Sequence, residues 1–230
     1  SMTRTLRILS YICRHKNGVR VSEIARELNS SPPAIYHYLK NMLEEGFIFK
    51  DQVSGRFRAT YRIVDLATVV LENNEISELT HSFLSQLSID TKSTVHLAIR
   101  EGYLGVCVSK VGSSEAIPSI TRVGMSFELY PTALGKAILS YISEQELQDY
   151  LYRTDFIPYT EKTITDKASL VEELTRIRER GYSVDNEEHR VGLRALGVPI
   201  FDYTQKVIGA ISILLTADDG NQQIQHNLEK

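Results

Sequence analysis

The sequence predicts an α+β protein of two unlike parts: a small helical head closed by a basic hairpin, and a larger body of antiparallel strands with irregularly interleaved helices. Three observations predict it. Apolar residues recur at helical spacing over the first 45 or so positions and at strand spacing over much of the rest. Charge changes sign along the chain: residues 1–62 hold 11 Lys and Arg against 5 Asp and Glu, a net +6, and residues 63–230 hold 15 against 24, a net −9. A Glu101-Gly102 turn between two strand-like runs marks an antiparallel hairpin.

In the head, Leu6, Leu9, Ile12 and Cys13 recur at helical spacing, so residues 3–16 read as a first helix stopped by Asn17-Gly18. Ser22 is placed to cap a second helix with a stripe of Ile24, Ala25 and Leu28. Asn29-Ser30-Ser31 is a short polar turn, and Ser31 followed by Pro32-Pro33 is a strong helix start. The third helix carries Ile35, Leu39, Met42 and Leu43 on one side and ends at Gly46. Its opposite side holds Pro33, Ala34, His37, Lys40 and Asn41, with Tyr36 on the flank. With Ser31 at its start, that face suits a major groove, small residues first and hydrogen-bonding groups next, Lys40 being placed for phosphate.

Residues 47–50 and 56–61 follow as strands around Ser54-Gly55, with Lys50, Arg56 and Arg58 beside the turn. Three cations there have a reason to exist if phosphate lies beneath them, because neutralising phosphates releases counterions. Helix, helix, tight turn, helix and basic hairpin together describe a winged helix-turn-helix, whose partner is double-stranded DNA. The helices taken alone also fit an ordinary bundle with a solvated face.

Residues 63–73 contain no breaker and predict a helix joining head to body, its apolar residues covering much of the circumference for a partner chain or for its own domain. The organisation expected is therefore 1–62 head, 63–75 linker helix and 76–230 body. Within the body, residues 77–87 predict a helix with Leu79, Phe83 and Leu87 along one side. Strands are expected at 94–100, 103–110, 117–122, 126–130, 182–186, 196–201 and 207–216, and helices at 133–141, 144–152 and 166–180, the last stopping at Gly181. Pro199 predicts a strand end or edge position.

Composition and motifs exclude several classes. With 42% hydrophobic and 24% charged residues, the chain is neither disordered nor fibrous. Its longest nearly apolar run, 207–217, is far below the roughly 18–20 residues of a membrane helix. Two cysteines, Cys13 and Cys107, make no disulfide framework, and no secretory leader is visible before the amphipathic pattern containing Arg4 and Arg7, so a reducing cytoplasm is the expected setting. Gly135-Lys136 lacks the Gly-rich loop of a phosphate cradle, and Gly124-Met-Ser-Phe-Glu128 lacks the second glycine of a nucleophile elbow. Glu187, Glu188 and His189 are candidate metal ligands, but no His-x-x-x-His or Cys-x-x-Cys accompanies them. No catalytic residue, metal or cofactor is expected.

The ordered set Thr5-Leu-Arg-Ile-Leu9, Val21-Ser-Glu-Ile-Ala-Arg-Glu-Leu28, Leu39-Lys-Asn-Met-Leu-Glu-Glu-Gly-Phe47, Thr94-Val-His-Leu-Ala98, Tyr130-Pro-Thr-Ala-Leu-Gly-Lys-Ala137, Gly181-Tyr-Ser-Val-Asp-Asn-Glu-Glu-His189 and Gly192-Leu-Arg194 resembles the IclR family of bacterial transcriptional regulators. The resemblance implies an N-terminal winged helix-turn-helix and a C-terminal, GAF-like effector-binding domain with an antiparallel sheet. It implies a homodimer or homotetramer that represses or activates genes for carbon-source use. Carried across residue by residue, the implied effector-binding positions are Ser119, Thr132, Ala133, Leu134, Asp185, Leu193, Ala195, Ser212 and Leu214.

Three departures bear on the ligand. Ala195 stands where the family often has Cys, Tyr130-Pro131 where a His is usual, and Leu214 where some acid-binding members place a hydroxyl. Removing polar partners makes a small, strongly polar acid costly to bury, so an aromatic or aliphatic acid is expected. In the recognition helix, Ala34-Ile-Tyr-His-Tyr38 replaces a Ser-Thr-Val-His-Arg run, shifting emphasis from an arginine reading guanine to Tyr36, His37 and backbone contacts. The reading that follows is an effector-responsive, DNA-binding regulator; the alternatives are an enzyme with an accessory head and a sensor that contacts only protein.

Overall fold

The computed structural model describes residues 1–72, 75–112 and 119–217 and divides into two units, Ser1–Asn74 and Glu75–Lys230. The first unit runs α1 (Met2–Arg14), α2 (Val21–Glu27), α3 (Pro32–Glu44), β1 (Ile48–Lys50), β2 (Phe57–Ala59) and α4 (Arg62–Glu72). Ile8 and Ile12 of α1, Ile24 of α2, Ile35, Leu39 and Met42 of α3, and Ile48 and Phe57 of the hairpin form one core. Val19 pairs with Phe57, adding the approach to α2 as a third edge on the wing. Gly18 takes φ +72° there, and a Cβ would meet the Arg58 stem at 2.7 Å and the Phe57 carbonyl at 2.9 Å, so only glycine fits.

Two expectations for the head need correction. Ser22 does not cap α2: Arg20 is the N-cap, its N–H donating to Glu23 Oε2 at 2.6 Å, and Ser22 sits exposed inside the helix. The Glu23 carboxylate, three residues on, reaches back to the N-cap N–H, a different bond from the one a capping hydroxyl would accept. Ser31 does precede α3, with Pro32 at its first position, but makes no side-chain cap bond.

In the second unit α5 (Glu75–Thr91) leads into β3 (Val95–Glu101) and β4 (Leu104–Val111), then β5 (Ser126–Glu128), α6 (Ala133–Leu139), α7 (Glu144–Arg153), α8 (Lys167–Arg180), β6 (Ser183–Asn186), β7 (Leu193–Phe201) and β8 (Val207–Thr216). The strands form one antiparallel sheet in the order β5-β4-β3-β8-β7-β6. Because strand side chains alternate, its two faces have different clients. One face packs Val95, Leu97, Leu196, Ile213 and Leu215 against Leu84 of α5. The other places Ala98 and Ala210 against α6, α7 and α8 through Leu134, Ala137, Leu147, Leu170 and Leu174.

Residues 119–122 are not a strand, and Ile117 and Pro118 of that expected strand lie outside the described residues. What holds the stretch is a side chain instead of a ladder: Lys110 Nζ donates to the carbonyls of Ser119 at 2.8 Å and Thr121 at 3.0 Å. The stripe expected along one side of α5 is divided, with Leu87 half-buried against the sheet's core. Leu79 and Phe83 are 72% and 73% exposed, while Leu84 and Ser88 are buried. Pro199 lies in β7 beyond the reach of β6, whose pairing stops at Gly197, so it is locally at an edge.

Candidate functional site: a cavity over the sheet and an exposed helix face

In-register pairing builds the site's floor. Ser183, Gly197, Ser212, His96 and Lys110 follow one another across β6, β7, β8, β3 and β4, a row of polar groups interrupted by one glycine. Two residues along, Asp185, Ala195 and Leu214 form a second row. Above these rows sits the first turn of α6, brought down by two glycines. A Cβ on Gly135 would overlap the backbone of Leu129, and one on Gly197 would meet Ser183 Oγ at 2.6 Å and the Ala133 carbonyl at 2.8 Å. Ser183 Oγ donates to that carbonyl at 2.6 Å, fastening helix to sheet. Thr132 caps the helix by accepting from Gly135 N–H at 3.0 Å.

The space left open is a cavity of about 390 Å³. All nine effector-binding positions named from the resemblance line it: Ser119, Thr132, Ala133, Leu134, Asp185, Leu193, Ala195, Ser212 and Leu214. The wall also contains Leu104, Met125, Phe127 and Tyr159, which make it largely apolar, and His96, Glu128, His189, Arg190 and Arg194. Sequence reading missed this second group. His96 had a visible signal, since it lies in a quoted motif and alternates onto the floor with Ser212 across from it; Tyr159 had none.

Electrostatics divide the wall. Burial, reinforced by the nearby Lys110 ammonium, pushes His96 down to about 4, so the ring is neutral near pH 7 and exchanges a hydrogen bond with Ser119 Oγ at 3.0 Å. Burial also lowers His189, helped by Arg190, and raises Glu128, helped by Asp155. Asp185 is pushed up to about 7 by burial, against the pull of Lys136. Beneath the wall Lys136, 1% exposed, donates to the Val184 carbonyl at 2.6 Å and forms a short ion pair with buried Glu188. The three candidate metal ligands therefore diverge: Glu187 pairs with Lys162, Glu188 with Lys136, and His189 packs its ring 5.2 Å from that of Tyr159. Among the described residues no three His, Cys, Asp or Glu side chains gather to hold a metal.

In the head, the polar side of α3 is presented to solvent. Ser31, Pro33, Tyr36, His37, Lys40 and Asn41 are exposed and Ala34 is half-buried. Lys50 of the wing is exposed, its ammonium 5.9 Å from the Phe57 ring centre. Arg56 corrects the charge picture: it bonds the Gly18 carbonyl at 2.8 Å and pairs with Glu23 at 3.2 Å, tying wing to α2. Arg58 is half-buried, its stem against Gly18. The cations standing out beside α3 are Lys40, in a surface pair with Glu44 at 3.7 Å, and Lys50.

Two family models match this chain: the IclR helix-turn-helix domain over residues 1–52 and the bacterial transcriptional regulator IclR C-terminal domain over residues 68–228. The chain belongs to the IclR family. Its fold is similar to the crystal structure of Thermotoga maritima IclR, with a TM-score of 0.83 and 35% identity over 99% of this chain and 92% of that one. Among curated relatives it is 30% identical to the HTH-type transcriptional regulator KdgR of Escherichia coli K12 over 195 residues, 85% of this chain and 74% of KdgR. It is 27% identical to XynR of the same strain over 213 residues, 93% of this chain and 84% of XynR. The winged head and antiparallel body are thus those of an IclR-type, DNA-binding transcriptional regulator. No helix among the described residues is long and apolar enough to cross a membrane.

Proposed function

We propose that this IclR-family chain binds a small organic acid with an aromatic or aliphatic frame in the body's cavity, and that binding alters the head's affinity for operator DNA. The observation that carries the reading is the convergence of the nine positions carried across from the resemblance, from β6, β7, β8, the start of α6 and the 119–121 segment, on one cavity. About 390 Å³ lies at the small end of the roughly 300–1,000 Å³ of ligand pockets, a size for a single ring or a short chain. Apolar wall residues suit the frame, while Ser119, Thr132, Asp185 and Ser212 supply polar contacts. On DNA, Ser31, Pro33, Ala34, Tyr36, His37 and Asn41 form the groove-facing set, with Lys40, Lys50 and Arg58 toward phosphate.

The working form is a homodimer or homotetramer in the cytoplasm. Val64, Leu66, Val69 and Val70 of α4 and Met2 and Leu6 of α1 stand in solvent, where a second copy would cover them. Effector that favours one arrangement of the bodies changes the spacing of two heads, and half-sites on DNA demand a fixed separation.

A thermal-shift screen of benzoate, phenylacetate, hexanoate, glyoxylate and pyruvate tests the ligand class. At a hundredfold excess over Kd a ligand adds about 2.7 kcal/mol, or a rise of about 5 °C or more in Tm for a domain of this size. The larger acids are expected to give that rise. Shifts from glyoxylate and pyruvate alone would refute the proposed frame.

A further inference from the structure

Asp185 lines the cavity yet is only 8% exposed. Its neighbours in register, Ala195 and Leu214, bring neither charge nor donor. Oδ1 accepts the backbone N–H of Glu188 at 2.8 Å and of His189 at 3.4 Å, and Oδ2 makes no bond among the described residues. Lys136, the buried cation on the α6 side, is committed to Glu188 and the Val184 carbonyl. The other titratable or charged groups of the wall are His96, Glu128, Tyr159, His189, Arg190 and Arg194. Both histidines are held toward their neutral forms by burial. Arg190 is exposed to water, and Arg194 follows Leu193 and precedes Ala195 on β7, so its side chain alternates away from the floor row that holds Asp185.

A ligand carboxylate also finds the hydroxyls of Ser119 and Thr132 already shared, which leaves Ser212, of the three proposed hydroxyl contacts, with no side-chain bond among the described residues. Ser119 Oγ is shared with His96 and Thr121 N–H, and Thr132 Oγ1 with Gly135 N–H and the Leu129 carbonyl. Brought beside Asp185, a second carboxylate meets like charge in a low-dielectric site, and two such groups cannot both stay ionised.

We infer that the effector's carboxylate binds as a proton-sharing pair with Asp185, so that above neutral pH each acid molecule enters the cavity together with one proton. The inference rests on the proposed acid class of effector. Its balance is simple: solvent supplies a proton, Asp185 becomes a carboxylic acid, and its O–H donates to the ligand's carboxylate, with no covalent bond of the ligand changed. Burial pushes Asp185 up to about 7. Below that pH the proton is resident and affinity is flat; above it, affinity falls by up to about tenfold per pH unit.

Calorimetry of benzoate, phenylacetate and hexanoate in phosphate and in Tris reads the uptake directly, because the two buffers differ in ionisation enthalpy. Near pH 8.5 the wild type is expected to take up about one proton per ligand, declining toward none near pH 6. Asp185→Asn, a neutral isostere that keeps both backbone acceptor bonds and offers an N–H, is expected to bind with no uptake and a flat pH profile. Binding heat without uptake in the wild type overturns the proton-sharing pair and leaves the acid effector standing. Persistent uptake in Asp185→Asn does the same. Absence of heat from every acid overturns the effector class and this inference with it. The wild-type uptake decides the matter by itself if the variant fails to fold.

Discussion

Replacing Lys136 with methionine is expected to destabilise the body by about 3–5 kcal/mol, the range for removing one partner of a buried ion pair. The ammonium is 1% exposed and holds both Glu188 and the Val184 carbonyl. Without it, Glu188 is left as an uncompensated carboxylate, with one oxygen, Oε2, already lacking a partner among the described residues. Burial then pushes Glu188 toward its protonated form, so the loss should be smaller at acid pH than at pH 8. The double variant Lys136→Met/Glu188→Leu should recover most of the stability, because exchanging a whole buried pair for apolar groups is often neutral. Urea unfolding of the three proteins at two pH values checks this. A single variant within about 1 kcal/mol of wild type would show that the pair is solvated after all.

Gly135→Ala is the second large effect, with an expected loss of about 3 kcal/mol or more. Overpacking a core costs typically about 1–3 kcal/mol when side chains can yield. Here the added Cβ overlaps the backbone of Leu129, which cannot rotate away. The helix must lift instead, pulling Thr132, Ala133 and Leu134 from the cavity and stretching the Ser183–Ala133 hydrogen bond. Loss of stability together with loss of effector binding is the expected pair of results. Gly102→Ala is the control, because nothing lies within 4 Å of its Cβ and only the strain of φ +63° is added.

Much of this was legible in the sequence because local rules govern it. Ile35, Leu39 and Met42 fall on one side of α3 by periodicity, and all three are buried, leaving Tyr36, His37, Lys40 and Asn41 outside. The β3–β4 hairpin follows from a Gly102 that takes φ +63°. The nine cavity positions came from resemblance, since neither Ala195 nor Leu214 carries chemistry of its own. What stayed hidden depends on partners far apart in the chain. Arg56 reads as a phosphate ligand until Glu23, 33 residues earlier, is found beside it. Lys136 and Glu188 are 52 residues apart, and neither looks buried by composition. α5 has apolar residues on two sides, and the sheet, not the helix, decides that Leu84 is covered and Phe83 is not. The 117–122 stretch has the residues of a strand, but Lys110 holds its described part by two carbonyls instead.

In the proposed function, occupancy of the body's cavity governs the head's hold on DNA. Fluorescence anisotropy tests it most directly, using a duplex that the protein itself selects from a random pool and the acid that raises Tm most. Wild type and Ala195→Phe are titrated with and without that acid. Ala195 lines the cavity and faces Asp185 and Leu214 in register, so a phenyl ring there occupies the ligand's space and leaves the head's own residues unchanged. A shift of operator affinity by roughly 5–150-fold is expected in the wild type, the usual span of an allosteric coupling, and none in Ala195→Phe. Equal responses from the two proteins, or an acid that binds the wild type without moving its operator affinity, would overturn the coupling between cavity and head.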